Sequence, residues 1–79
     1  MKQMFGYSAS SAKKSTISII ENSDYYTVWQ VKIAYDNLYR DSRLSNKTKG
    51  IYGDKLRAIY KRKKAIYDMT GDELSTMKA

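Results

Sequence analysis

A chain of 79 residues with 42% hydrophobic and 13% aromatic content has the makings of one small folded domain, because a chain this short buries only a little over ~60% of its unfolded surface around a single core. The absence of Cys and His excludes disulfides, thiolate nucleophiles, iron–sulfur clusters, imidazole bases and the usual Cys-containing zinc sites. A net charge of +7 points to a polyanionic partner, and no run approaches the roughly 20 apolar residues that would span a bilayer.

The opening MKQMFGYSASSAKK is small, polar and weakly periodic. It reads as a flexible N-terminal arm over residues 1–14, followed by a single domain over residues 15–79. It carries no stretch resembling the apolar region of a secretory signal, so a cytoplasmic protein is expected.

From Ser15 the pattern changes. STISIIE sets Ile17 and Ile19 on one side of an extended chain and adds the β-branched Thr16 and Ile20, which suits a strand over 16–21. Glu21-Asn22-Ser23-Asp24 supplies turn chemistry. In YYTVWQVKIAY, the residues Tyr25, Thr27, Trp29, Val31, Ile33 and Tyr35 recur at period two, which suits a second strand over 25–35. Together these predict an N-terminal β-hairpin. The competing reading is helical: Val28, Val31, Tyr35 and Leu38 also follow three- and four-residue steps, and Asn22 or Ser23 would cap such a helix.

SRLSNKTKGIYG reads as a connection, with Ser42, Ser45, Asn46, Gly50 and Gly53 interrupting regular structure. A basic amphipathic helix is expected over about 54–69. Asp54 would cap it, Leu56, Ile59, Tyr60, Lys63, Ile66 and Tyr67 would form its buried stripe, and Gly71 would end it. Lys63 falls inside the apolar arc, which suggests a stem crossing the edge of the core with its ammonium in water. GDEL at 71–74 suggests a short terminal turn that packs Leu74 and Met77. The expected fold is therefore a small α+β domain with Ile17, Ile19, Val31, Ile33, Leu56, Ile59 and Ile66 in its core; an all-α helical hairpin is the alternative.

Charge is the main functional signal. Residues 47–64 carry eight basic residues against Asp54 alone, whereas the last fifteen residues are net acidic. Lys55, Arg57, Lys61, Arg62 and Lys64 on the helix, with Lys47 and Lys49 on the preceding loop, form a set suited to phosphate contacts. Tyr52 in the basic segment and Tyr7 in the arm are the candidates for stacking on unpaired bases. GIY at 50–52 matches the start of a GIY–YIG nuclease motif, but no YIG follows and no Arg/Glu pair is placed for phosphodiester chemistry. Asp68, Asp72 and Glu73 lack the spacing of a calcium loop, so neither metal nor cofactor is expected. A core this small leaves little room for a catalytic cavity. The sequence thus predicts a non-catalytic, basic DNA- or RNA-binding protein that contacts mainly the phosphate backbone. The competing function is a protein–protein interaction module or inhibitor that binds an acidic surface on a larger protein.

Overall fold

Thr27 and Ser45 decide where two of the three helices begin. The computed structural model describes residues 11–79, and in it the chain forms α1 (Ser11–Glu21), α2 (Val28–Arg40) and α3 (Asn46–Thr70), with short 3-10 turns at Ser23–Tyr25 and Leu74–Thr76. Thr27 closes a capping box: its hydroxyl accepts from the Gln30 N–H at 3.4 Å, while its own N–H donates to Gln30 Oε1 at 2.8 Å. The Ser45 hydroxyl accepts from the Thr48 N–H at 3.1 Å. Each cap satisfies a backbone donor that a helix N-terminus otherwise leaves without a partner.

These helices replace the expected hairpin. No strand occurs among the described residues, and the segments read as strands over 16–21 and 25–35 lie largely in α1 and α2. The fold is all-helical. What overrides the β-branched and aromatic content is burial at three- and four-residue steps: Val28, Val31, Ala34 and Leu38 line the inner face of α2. A strand would have paired Ile33 with Val31 in the core. On the helix Ile33 points elsewhere and is 58% exposed.

The core joins all three helices. Ile19 of α1, Val31, Ala34 and Leu38 of α2, and Leu56 and Ile59 of α3 form one cluster, with Ile20, Tyr26, Tyr35, Leu44, Tyr52 and Tyr60 packed around it. Each fully buried aliphatic side chain contributes about 1.5–3 kcal/mol relative to exposure. Of the expected core, Ile19, Val31, Leu56 and Ile59 are buried, whereas Ile17 and Ile66 are only half-buried. Ser11–Lys14, read as the end of an arm, form the first turn of α1; residues 1–10, with the rest of that expectation, lie outside the described residues.

Helix α3 starts eight residues before the expected Asp54, so the presumed connection from Asn46 onward is its first two turns. Asp54 caps nothing and instead pairs with Arg57 at 3.3 Å. Gly53, read as an interruption, sits where Tyr39 of α2 crosses: a Cβ there would come within 2.7 Å of Tyr39 Cε2 and 2.9 Å of Cζ. The 25 residues of α3 rise about 1.5 Å each, which accounts for most of the molecule's 42 Å long axis. Gly71 ends the helix in the left-handed region at φ 66°, and its N–H donates to Tyr67 O at 2.7 Å.

The chain after Gly71 folds back onto the body. Its buried residue is Thr76, while Leu74, expected to pack, is exposed. The Thr76 hydroxyl accepts from the Val28 N–H at 2.9 Å and donates to Glu73 O at 2.5 Å. Lys63 is 0% exposed, not a snorkelling edge residue. Its ammonium donates to the carbonyl oxygens of Thr76, Met77 and Ala79 at 2.8, 2.9 and 3.4 Å. Three acceptors match the three donors of an ammonium, which explains how a lysine occupies an apolar stripe.

Candidate nucleic-acid interface

The buried stripe of α3 determines which of its cations reach solvent. With Gly53, Leu56, Ile59 and Lys63 turned inward, the roughly 100° advance per residue sends Lys47, Lys55, Lys61 and Arg62 outward, and all four are exposed. None forms an ion pair with a described residue. Lys55 and Arg62 stand one heptad apart, about 20° from each other around the axis. Lys47 to Arg62 spans about 22 Å of helix at 1.5 Å per residue.

The other expected phosphate ligands are placed differently. Arg57 is exposed but bonded to Asp54. Lys64 is half-buried and pairs with Asp68 at 2.6 Å, and this hydrogen bond to the carboxylate holds its ammonium above the usual lysine range. Lys49, expected on a loop, lies in the second turn of α3, half-buried. Its charge helps hold the Asp41 carboxyl below the usual range, after the larger effect of the Arg43 backbone N–H that bonds it at 3.0 Å. On the outer face, six cations from Lys47 to Lys64 meet two carboxylates, Asp54 and Asp68, leaving an excess of four positive charges.

Tyr52 is half-buried against the core, with the Lys13 ammonium 5.7 Å from its ring centroid. That face of the ring already has a cation over it, which makes Tyr52 a weaker stacking platform than its position in the basic segment suggested. Tyr7 lies outside the described residues. Sequence reasoning missed the exposed apolar residues Ile51 and Met69, which lie between the cations on the same outer arc. Helical phase from the Ser45 start would have found Ile51, and Met69 already lay within the expected helix.

Sequence reasoning also missed a cleft between α2 and α3, about 180 Å³ in volume, lined by Lys32, Tyr35, Asp36, Arg57 and Tyr60. A larger cleft of about 730 Å³ lies between the Ser23–Tyr25 turn and the folded-back C-terminal segment. Glu21 and Asp24 on its rim oppose an anion there. Among the described residues no group of three or more carboxylates is arranged to hold a metal ion, and no helix is long and apolar enough to cross a membrane. Comparison with known protein families, characterised proteins and solved structures gives no match.

Proposed function

We propose that the protein is a non-catalytic nucleic-acid-binding module that lays the outer face of α3 along a phosphate backbone. The observation that supports this reading is the set of four exposed cations, Lys47, Lys55, Lys61 and Arg62, that share one helix face with no carboxylate partner among the described residues. A cation already paired must give up its carboxylate to meet a phosphate; these four need not. The pairs Arg57–Asp54 and Lys64–Asp68 add little net field at a distance. Backbone contacts of this kind give affinity and rapid encounter without reading sequence.

Replacing Lys47, Lys55, Lys61 and Arg62 together with Gln tests the reading. The expected result is weaker binding to unrelated sequences alike, with the slope of log affinity against log salt reduced by up to roughly 0.9 for each phosphate of duplex DNA that is no longer neutralised. Lys64→Gln combined with Asp68→Asn removes a neutral pair and should change little. Circular dichroism establishes that each variant is folded. Unchanged affinity in the folded fourfold variant would rule out this face. Failure of the wild type to bind at about 50 mM salt, with a protein partner still co-purifying after nuclease treatment, would replace nucleic acid with an acidic protein surface.

A further inference from the structure

Two tyrosines face the α2/α3 cleft from different helices. Tyr35 comes from α2 and Tyr60 from α3, and the cleft between them has Arg57, Lys32 and Asp36 at its margin. Both rings are half-buried and packed against the core, so their orientations are fixed by the fold. Tyr35 is further backed by Tyr39, with ring centroids 4.9 Å apart and planes tilted by 46°. Tyr39 in turn lies over Gly53, where any side chain would displace it. Desolvation, to which the neighbouring Tyr35 phenol adds, keeps the Tyr39 phenol protonated beyond its usual range. The aromatic wall is therefore built before any ligand arrives.

The cleft's volume of about 180 Å³ is below the ~300–1,000 Å³ typical of drug-sized ligands, and suits one planar ring system rather than a base pair. Its chemistry is amphipathic in a particular way. Ring faces offer stacking to any base, because every base has a π-face. Arg57 and Lys32 at the margin are positioned for the phosphate attached to that base. Their present partners are intrahelical carboxylates, the exposed Asp54 at 3.3 Å and the partly exposed Asp36 at 3.0 Å, and solvent-accessible pairs of that kind are weak enough to be exchanged. Arg57 stands about 40° around α3 from Lys61 but about 140° from Arg62 and about 160° from Lys55, so the Lys61 edge of the basic face is the one that leads a strand to the cleft.

We infer that the cleft lined by Tyr35 and Tyr60 receives an unpaired base while Arg57 and Lys32 contact its phosphate, making single-stranded nucleic acid the preferred ligand. This rests on the phosphate-binding reading above and adds a strandedness that the surface cations alone do not supply. In a duplex the base is stacked between its neighbours and cannot enter a slot between two helices without being flipped out.

The test compares a short single-stranded DNA, the RNA of the same sequence and the corresponding DNA duplex, each carrying one fluorescent purine analogue whose emission falls when it stacks on an aromatic ring. The single strand is expected to bind more tightly than the duplex, and only its analogue should be quenched. Tyr60→Leu and Tyr35→Leu should each weaken single-strand binding by roughly 5- to 150-fold and abolish the quenching while leaving duplex affinity unchanged. Tyr60→Phe keeps the ring and should retain both. Arg57→Gln, at an exposed position, provides a variant that does not threaten the fold and should weaken single-strand binding selectively. Equal quenching of DNA and RNA identifies the base and phosphate as the recognised groups; quenching with one alone shows that the sugar is read as well, and either outcome supports the slot. Equal affinity for strand and duplex, with no quenching, would overturn the slot while leaving the phosphate reading intact. No binding to any of the three probes would overturn both.

Discussion

The Lys63 ammonium donates to the Thr76 carbonyl oxygen across thirteen residues of sequence at 2.8 Å, and this bond fastens the chain after Gly71 to the middle of α3. The oxygens of Met77 and Ala79 complete its shell. A residue that looks misplaced in an apolar stripe is thus the tether of the C-terminal turn. Replacing Lys63 by Met keeps most of the volume but leaves those carbonyls without a donor. The expected cost is about 1–3 kcal/mol, measured by urea unfolding with the single Trp29 as fluorophore; a cost near zero would show that water replaces the ammonium freely.

The same lysine makes alkaline stability diagnostic. Burial pushes the Lys63 amine below its usual value, Arg62 adds to the effect, and Asp24 opposes it. As pH rises from that lowered value toward the ordinary 10.5, the unfolded chain keeps a proton that the folded chain has released, so this group favours folding increasingly. Tyr39 has the opposite sign: its folded phenol is held above 10.0, so its contribution is present below that pH and lost as pH rises through the folded value. Lys63→Met removes the first effect alone. Its stability should fall earlier than that of the wild type as pH rises from about 8 to about 11, and parallel profiles would refute the assignment.

Thr76→Val removes the acceptor for the first N–H of α2 at nearly constant volume. Val28 N–H would then be buried without a partner, at a cost of about 1–3 kcal/mol. Amide exchange at Val28 gives a local readout, and protection equal to wild type would mean another acceptor takes over.

Two glycines of α3 separate helix propensity from packing. A Cβ at Gly50 meets nothing within 4 Å, so Gly50→Ala should stabilise by about 0.5–1 kcal/mol. At Gly53 the Tyr39 ring must move, with Cε2 at 2.7 Å from the new atom. Gly53→Ala should forgo that gain and return the Tyr39 phenol toward its ordinary titration. An equal gain at both positions would show that the Tyr39 contact contributes nothing.

At the acid end, Asp41, which follows the last residue of α2, accepts from the Arg43 N–H and Nε at 3.0 and 3.2 Å within the connection to α3. Its carboxyl is held below 3.8, chiefly by the backbone bond. The contribution is present above that value and lost as pH falls through the folded one. Asp41→Asn should flatten the stability profile between about pH 5 and pH 2; an unchanged acid slope would place the effect elsewhere.

How much of this was readable before the structure depended on which residues carried two messages. Leu56, Ile59 and Lys63 fit only a helix, and α3 was expected. Trp29, Val31, Ile33 and Tyr35 fit a strand as well as a helix, and their β-branched and aromatic character favoured the strand. The capping box Thr27–Gln30 was the local signal against it. Gly50 and Gly53 read as breakers: a glycine chosen for a neighbouring ring, as at Gly53, looks in sequence like one chosen for a turn, and Gly50 sits in the helix with nothing against it. Lys55, Lys61 and Arg62 were legible as an outward basic set, since they flank a strong apolar stripe. The pairing of Arg57 with Asp54 was within reach once the helix was extended upstream. Tyr35 and Tyr60 were not: they lie on different helices, and only the docking of α2 on α3 brings them to one cleft.

The bond from Val28 to Thr76 also sets an order of events during synthesis. These residues are 48 positions apart, and a ribosome adding about 5–20 residues per second needs about 2–10 s to pass from one to the other. Through that interval the leading amide of α2 has no protein acceptor, and for the shorter time after Lys63 is added its charge cannot enter the stripe. A chain stalled before Thr76 thus already carries every residue of the core cluster, yet its Val28 amide lacks the acceptor that the finished fold supplies.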